Sequence, residues 1–310
     1  MRLAVTGALN SALFDSLLKQ CEACAQGQDR ELELDLSSAD WAYPSGLVPF
    51  ASLLRVLSQQ GVHVTVVKYP NTAICSYFCR SNFVAHIGAE SPCADRDKSL
   101  GKNRAVKITE LEDHAIGKKP LTALGRLLQR LPGGVEATDG SRKSFIDACG
   151  ELASNTRHAY EERAGGNEIA ERPRGLLQAQ FYPKGGEGAR VELCVCDCGW
   201  GIKRSMEGEH HENFASHLEA ITAALAFRNK NPMGDGEGVG LSAIHTYIKR
   251  NGGTLRIRTG DALRTQQGSK SVAVTEQLPL WNGTIVAMGI LVEKPADLST
   301  IQKRLTKAVN

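Results

Sequence analysis

VELCVCDCGWGI, residues 191–202, is the stretch on which the fold turns. Cys194, Cys196 and Cys198 alternate and so share one face, which predicts a strand over 191–197 that ends at Asp197. Gly199 and Gly201 follow. Bare backbone at two alternate positions lets a flat ligand lie against the chain, and the Asp197 carboxylate is an acceptor for an exocyclic amine. Taken alone, the same residues also describe a tight turn after a strand.

Downstream, GEGVGLSAIHTYIKRNGG (236–253) sets Gly236, Gly238 and Gly240 at alternate positions before a helix expected to start at about Val239. That arrangement turns free backbone N–H groups and the positive end of a helix dipole toward an anion. It is not a dinucleotide fingerprint, since no strand immediately precedes it and the GxGxxG spacing is absent. Nor does the chain contain a GxxxxGK(S/T) phosphate loop. Upstream, ELASN (151–155) lies on a long helix expected over 141–163, whose apolar set is Phe145, Ile146, Cys149, Leu152 and Ala153. Glu151 and Asn155 project side by side on the flank of that face. An isolated pair of this kind is ordinarily plain helix surface.

In this order the three segments resemble the N, G1 and G2 boxes of the GHKL ATPase superfamily, which includes gyrases, heat-shock chaperones, mismatch-repair ATPases and histidine kinases. NGTIVAMGI (282–290) adds a fourth element, in which Thr284 resembles the threonine that closes the family's adenine pocket. The resemblance covers about residues 120–292. It implies a Bergerat-type α/β sandwich, a mixed sheet with helices on one face, and ATP and Mg²⁺ as cofactors. It further implies that Asn155 coordinates Mg²⁺ and that Asp197 binds the adenine amino group. Gly199 and Gly201 would allow close approach to the ring, and Gly236, Gly238 and Gly240 would hinge a lid over the triphosphate. Ile202, Val239 and Leu241, beside these glycines, belong to the same implied nucleotide-contact set. Glu151 occupies the position that orients and deprotonates the attacking water in hydrolysing members.

Several further side chains fall near these boxes. Lys203, Arg204, His210 and His211 lie in the expected lid, where they either reach phosphate oxygens or solvate a loop. His158 shares a helix side with Asn155. Trp200 either covers a bound ring or fills the core.

The first ninety residues alternate between the two periods. Strands are expected at Leu3–Val5, 31–37 and 62–68, and helices at 11–24, 46–60 and 71–80, with Pro49 placed in the first turn of the second helix. This predicts a small α/β unit with a largely parallel sheet. LDLSSADWAYPSGLVPFASLLRVLSQQG (34–61) resembles the core of STAS domains, the anti-sigma-antagonist family, in which a strand leads through a DSSG-like turn to a helix. Here the turn is Tyr43-Pro44-Ser45-Gly46, and Pro44 stands where the phosphorylated hydroxyl residue usually falls. The expected organisation is a STAS-like domain over 1–88, a linker over 89–103 and an ATP-binding domain over 104–310. Within the last, further strands are expected at 105–111, 176–182, 254–259, 272–275 and 284–292. Helices are expected at 121–131, 214–227 and 295–309.

At 310 residues the length favours two domains, and 42% apolar with 23% charged residues is an ordinary globular composition. A formal charge of +3 without a basic stripe argues against a nucleic-acid partner. No apolar stretch reaches the roughly 20 residues that span a bilayer. MRLAVTGALN (1–10) reads as a strand and turn rather than a signal peptide, so a cytoplasmic location is the expectation. Nine cysteines are too sparse for a disulfide scaffold. Cys21/Cys24 and Cys75/Cys79 sit on helical patterns without a matching knuckle pair, so buried thiols rather than a zinc site are expected.

Three functions fit this reading. One is a Mg²⁺-dependent ATPase acting as a nucleotide-driven switch in bacterial-type signalling, with a protein partner and a homodimer as an open alternative. The second is a serine/threonine kinase of the anti-sigma regulator type. The third is a non-catalytic, ATP-gated interaction module. A two-component histidine kinase fits poorly, because 89–140 is too short and broken for the helical hairpin that carries the phosphoacceptor. The chain also ends too soon after its last expected strand for the transducer domain of topoisomerases, chaperones or mismatch-repair enzymes.

Overall fold

Alternating burial builds the N-terminal sheet. Leu3, Val5 and Leu9 are buried along β1 (Arg2–Leu9), and Leu32, Leu34 and Leu36 along β2 (Glu31–Ala42), against exposed Arg2, Ala4, Glu31 and Glu33. With β3 (His63–Lys68) they form a parallel three-stranded sheet in the order β1-β2-β3. Parallel neighbours need crossovers, and α1 (Ser11–Gln26) and α2 (Pro44–Gln59) supply them. Two short helices, α3 (Thr72–Arg80) and α4 (Phe83–His86), complete the unit. The computed structural model describes residues 1–26, 30–69, 72–89, 105–111, 122, 126–127, 139–158, 175–183, 188–210, 213–226, 240–292 and 301. The expected linker lies almost wholly outside them, and so do most of the helices expected at 121–131 and 295–309.

The second sheet has seven strands: β4 (Ala105–Glu110), β5 (Leu176–Tyr182), β6 (Arg190–Cys196), β7 (Thr254–Gly260), β8 (Ala262–Gln267), β9 (Ser271–Thr275) and β10 (Trp281–Leu291). Their order is β4-β5-β6-β10-β7-β8-β9, and every neighbouring pair is antiparallel. The expected mixed sheet is therefore corrected. Short turns join β7 to β8 and β8 to β9, where a parallel neighbour would need a long crossover, and β10 returns between β6 and β7 opposite to both. β8 itself is unexpected from its sequence, because ALRTQQ has no apolar alternation.

Helices cover both faces of this sheet, which corrects the expectation of one. On one side lie α5 (Asp139–His158), α7 (His217–Leu225) and α8 (Gly240–Asn251). Phe145, Cys149 and Leu152 of α5 and Ile244, Tyr247 and Ile248 of α8 bury against Leu177, Leu193, Val195, Ile257 and Met288. α6 (Gly201–His210) precedes α7. On the other side α2 packs against β5, β6 and β10. Its buried residues run unbroken from Pro44 to Leu54, Ser45 and Ser52 included, as befits a helix covered on all sides. Leu176, Cys194, Cys196, Trp281, Ile285 and Ala287 thus share one core with the N-terminal sheet. Because α2 begins at Pro44, Pro49 falls in its second turn rather than the first, and removes the N–H that would bond the Ser45 carbonyl.

Polar contacts fasten the same junction. Arg258 Nε donates to Asp15 Oδ1 at 3.1 Å, and Arg256 Nη1 to Ser11 Oγ at 2.7 Å. Tyr77 Oη donates to Gln180 Oε1 at 2.5 Å, and the Phe14 and Trp281 rings meet edge to face at 5.4 Å. Among the described residues no helix is long and apolar enough to cross a membrane.

Candidate functional site

β6 delivers Asp197 to the point where the chain leaves the sheet. β10 holds it there: Asp197 N donates to the Thr284 carbonyl at 2.9 Å, and Thr284 N donates to Asp197 Oδ1 at 3.1 Å. Gly199 N donates to the same Oδ1 at 3.0 Å. Its other oxygen, Oδ2, has no partner among the described residues. With Asp197 only 4% exposed, burial pushes its carboxyl from 3.8 up to about 7, and the two backbone N–H groups oppose that rise.

The turn beyond Asp197 tolerates no side chains at two glycines. Gly201 has φ +73°, and a Cβ there would lie 2.6 Å from Thr259 Oγ1 and 3.2 Å from the Gly283 carbonyl oxygen. Gly283 has φ +137°, and its Cβ would lie 2.2 Å from the Asp197 carbonyl oxygen. Both conformations favour glycine. Thr259, at the end of β7, knits the turn together: its Oγ1 donates to the Gly283 carbonyl at 2.8 Å and accepts from Ile202 N at 3.2 Å. Thr259 was not among the expected site residues. Only its place at a strand end before Gly260 signals it, and many strands end that way.

A second group forms where α5 meets α8. A Cβ on Gly240 would lie 2.4 Å from Glu151 Oε2, so this carboxylate abuts the first residue of α8 and its positive dipole end. Asn155, one helical turn on, is exposed. Ile202 and Leu241 are half-buried and pack against the core beneath α5 and α8. Gly236, Gly238, Val239 and His211 lie outside the described residues.

The charges expected in a lid are instead partly helical. Lys203 and Arg204 lie on α6, which starts at Gly201, and His210 ends it. Lys203 Nζ lies 3.8 Å from Glu207 Oε1, and the Arg204 guanidinium covers the Trp200 ring at 4.7 Å. Trp200 is half-buried, outside the core clusters and stacked under that cation. α7 then opens at Ser216, whose side chain accepts from Glu219 N at 3.1 Å, while Glu219 Oε2 accepts from Ala215 N at 2.6 Å.

Three further features lie away from Asp197. Cys194 and Cys196 are fully buried, and burial holds their thiols well above the usual range. Ser45 is 5% exposed, at the start of α2, with its backbone N–H donated to Glu192 Oε1 of β6 at 3.2 Å. Between α1 and the sheet a cavity of about 20 Å³, room for one water, is lined by Phe14, Asp15, Ser45, Arg258 and Ile285. Compared with known proteins, the chain matches no family model and no curated protein.

Proposed function

We propose that the chain is an ATP-binding regulatory protein of the GHKL type, a Mg²⁺-dependent ATPase that works as a nucleotide-driven conformational switch. In this reading the seven-stranded sheet with α5, α7 and α8 is a Bergerat-type sandwich, and the parallel unit before it is STAS-like. One observation carries the proposal. The buried Asp197 has one oxygen tied to two backbone N–H groups and the other without a partner among the described residues, beside glycines at which a Cβ would clash. The partnerless oxygen is an acceptor for an exocyclic amine, and the glycines let the turn pack closely enough to hold it in place.

The residues divide the work. Asp197 Oδ2 accepts a hydrogen bond from the adenine amine, and Gly199, Gly201 and Thr284 frame the ring. The start of α8 turns the positive end of its helix dipole toward the phosphates. Asn155 is the residue that would hold Mg²⁺, which offsets phosphate charge when bound. Glu151, held against the first turn of α8, orients a water and takes its proton as the water attacks the terminal phosphorus, releasing phosphate and ADP.

The test is titration of the purified chain with ATP and Mg²⁺, with phosphate release and protein labelling followed together. Asp197→Asn is expected to abolish binding. Glu151→Ala is expected to retain binding and lose phosphate release. Label appearing on an added protein partner would favour the kinase reading, and binding without turnover the non-catalytic module. No binding to the intact chain would sink the proposal.

A further inference from the structure

The seven-stranded sheet ends on one side in β9, and that edge is open. All five residues of Ser271–Thr275 are exposed, including Val272 at 48% and Val274 at 51%. β8 covers one side of β9, with Thr265 opposite Ala273, and no described strand pairs with the other. Within the strand there is no proline, no bulge and no charge to guard the edge.

Its flanks are charged, and in a particular order. Lys270 precedes the strand and Glu276 follows it, giving Lys-Ser-Val-Ala-Val-Thr-Glu over 270–276. Around Ala273 this heptapeptide is chemically palindromic. An antiparallel copy paired about Ala273 sets Lys270 against Glu276, Ser271 against Thr275 and Val272 against Val274. Each of these is a favourable cross-strand pair, and the two-fold axis repeats it: two ion pairs, two hydroxyl pairs and two β-branched pairs per dimer. A register one residue to either side loses the charge match.

We propose that β9 is the interface through which two copies of this chain associate, strand to antiparallel strand about a two-fold axis at Ala273. Seven strands from each copy join into one continuous sheet. Because that axis runs perpendicular to the sheet, both helical layers, each with its Asp197 group, face the same side. Exposed Val272 and Val274 are covered by their counterparts, and the outward N–H and C=O groups of β9 gain partners. This surface stands independently of the nucleotide reading.

The experiment measures oligomeric state by size-exclusion chromatography with light scattering across a concentration series of the full chain. The wild type is expected to dimerise, and Val274→Lys to shift it to monomer with an unchanged thermal melt. Lys270→Glu is expected to weaken the dimer at least tenfold, and Lys270→Glu combined with Glu276→Lys to restore it. Ala273→Cys fixes the register, since opposed residues have Cα atoms about 4.5–5.5 Å apart, within reach of a disulfide. It should cross-link to itself under mild oxidation, whereas Val272→Cys alone and the wild type should not. A chain monomeric at all concentrations overturns the proposal. So does a dimer indifferent to these substitutions, or a monomer that accepts only an added extended peptide from another protein.

Discussion

At Asp197 burial and hydrogen bonding pull in opposite directions, and burial wins. The carboxyl moves from 3.8 up to about 7, so the folded chain holds this proton more tightly than the unfolded chain does. The resulting stability is fully present below the unfolded value and is lost as pH rises through about 7. A rise of about three pH units corresponds to on the order of 4 kcal/mol. Asp197→Asn, which imitates the protonated group, is therefore expected to flatten the fall in melting temperature between about pH 4 and pH 8, read by thermal melts. On the proposed reading a ligand amine favours the carboxylate, so titrating ATP near neutral pH should release a proton, visible by calorimetry in buffers of different ionisation enthalpy. Gly283 makes a different residue-scale case. Alanine there combines φ +137° with a Cβ 2.2 Å from backbone oxygen, which cannot move aside. Gly283→Ala should cost about 3 kcal/mol or more in urea unfolding. Gly201→Ala should cost less, because its closest obstacle is the Thr259 hydroxyl.

Among the elements, the turn from β6 into α6 depends on a hydroxyl from β7. Thr259→Val keeps the shape but leaves Ile202 N–H and the Gly283 carbonyl unpaired. It should cost about 1–3 kcal/mol in urea unfolding, with Thr259→Ser close to wild type. That dependence was not legible in the sequence, because Thr259 and Ile202 lie more than fifty residues apart and are brought together only by the fold. Elements with strong periodic patterns were legible. β5 falls on its expected residues and β6 is shifted by one, since both are dense in buried apolar side chains. β8 was not legible because its polar residues take tertiary partners rather than an alternating apolar pattern: Gln266 bonds His245 at 3.2 Å, and Arg264 Nη1 bonds Thr222 at 3.0 Å. α6 was hidden by its charges, which pair locally along the helix, as Lys203 and Glu207 do.

For the molecule as a whole, the back of the seven-stranded sheet is not a surface at all. Leu176, Cys194, Ile285 and Ala287 share a core with Leu3, Leu32 and Phe50 of the N-terminal unit. Melting followed by far-ultraviolet dichroism and by tryptophan fluorescence, with Trp41 in one unit and Trp281 in the other, should give one coincident transition. A fragment beginning at residue 104 should lose that transition and aggregate, as shown by light scattering. The sequence already held the relevant sign. Leu47, Val48, Phe50, Leu53 and Leu54 spread over most of α2, and the only polar side chains before Arg55, Ser45 and Ser52, are small enough to be buried with them, the mark of a helix covered on more than one side. What covers it depends on packing between remote segments, which periodicity does not encode.

The double burial of α2 has an evolutionary corollary. A helix that faces solvent on one side can drift there freely, and its tolerated substitutions repeat with the helical turn. α2 has no such free side: Val48, Phe50 and Leu53 answer to neighbours in a shared interior, and Ser45 meets a glutamate from the opposite sheet. Sequence change in α2 must therefore be matched by change in both sheets at once. The two units are bound to diverge as a pair, and a shuffled copy of either would arrive without its other half.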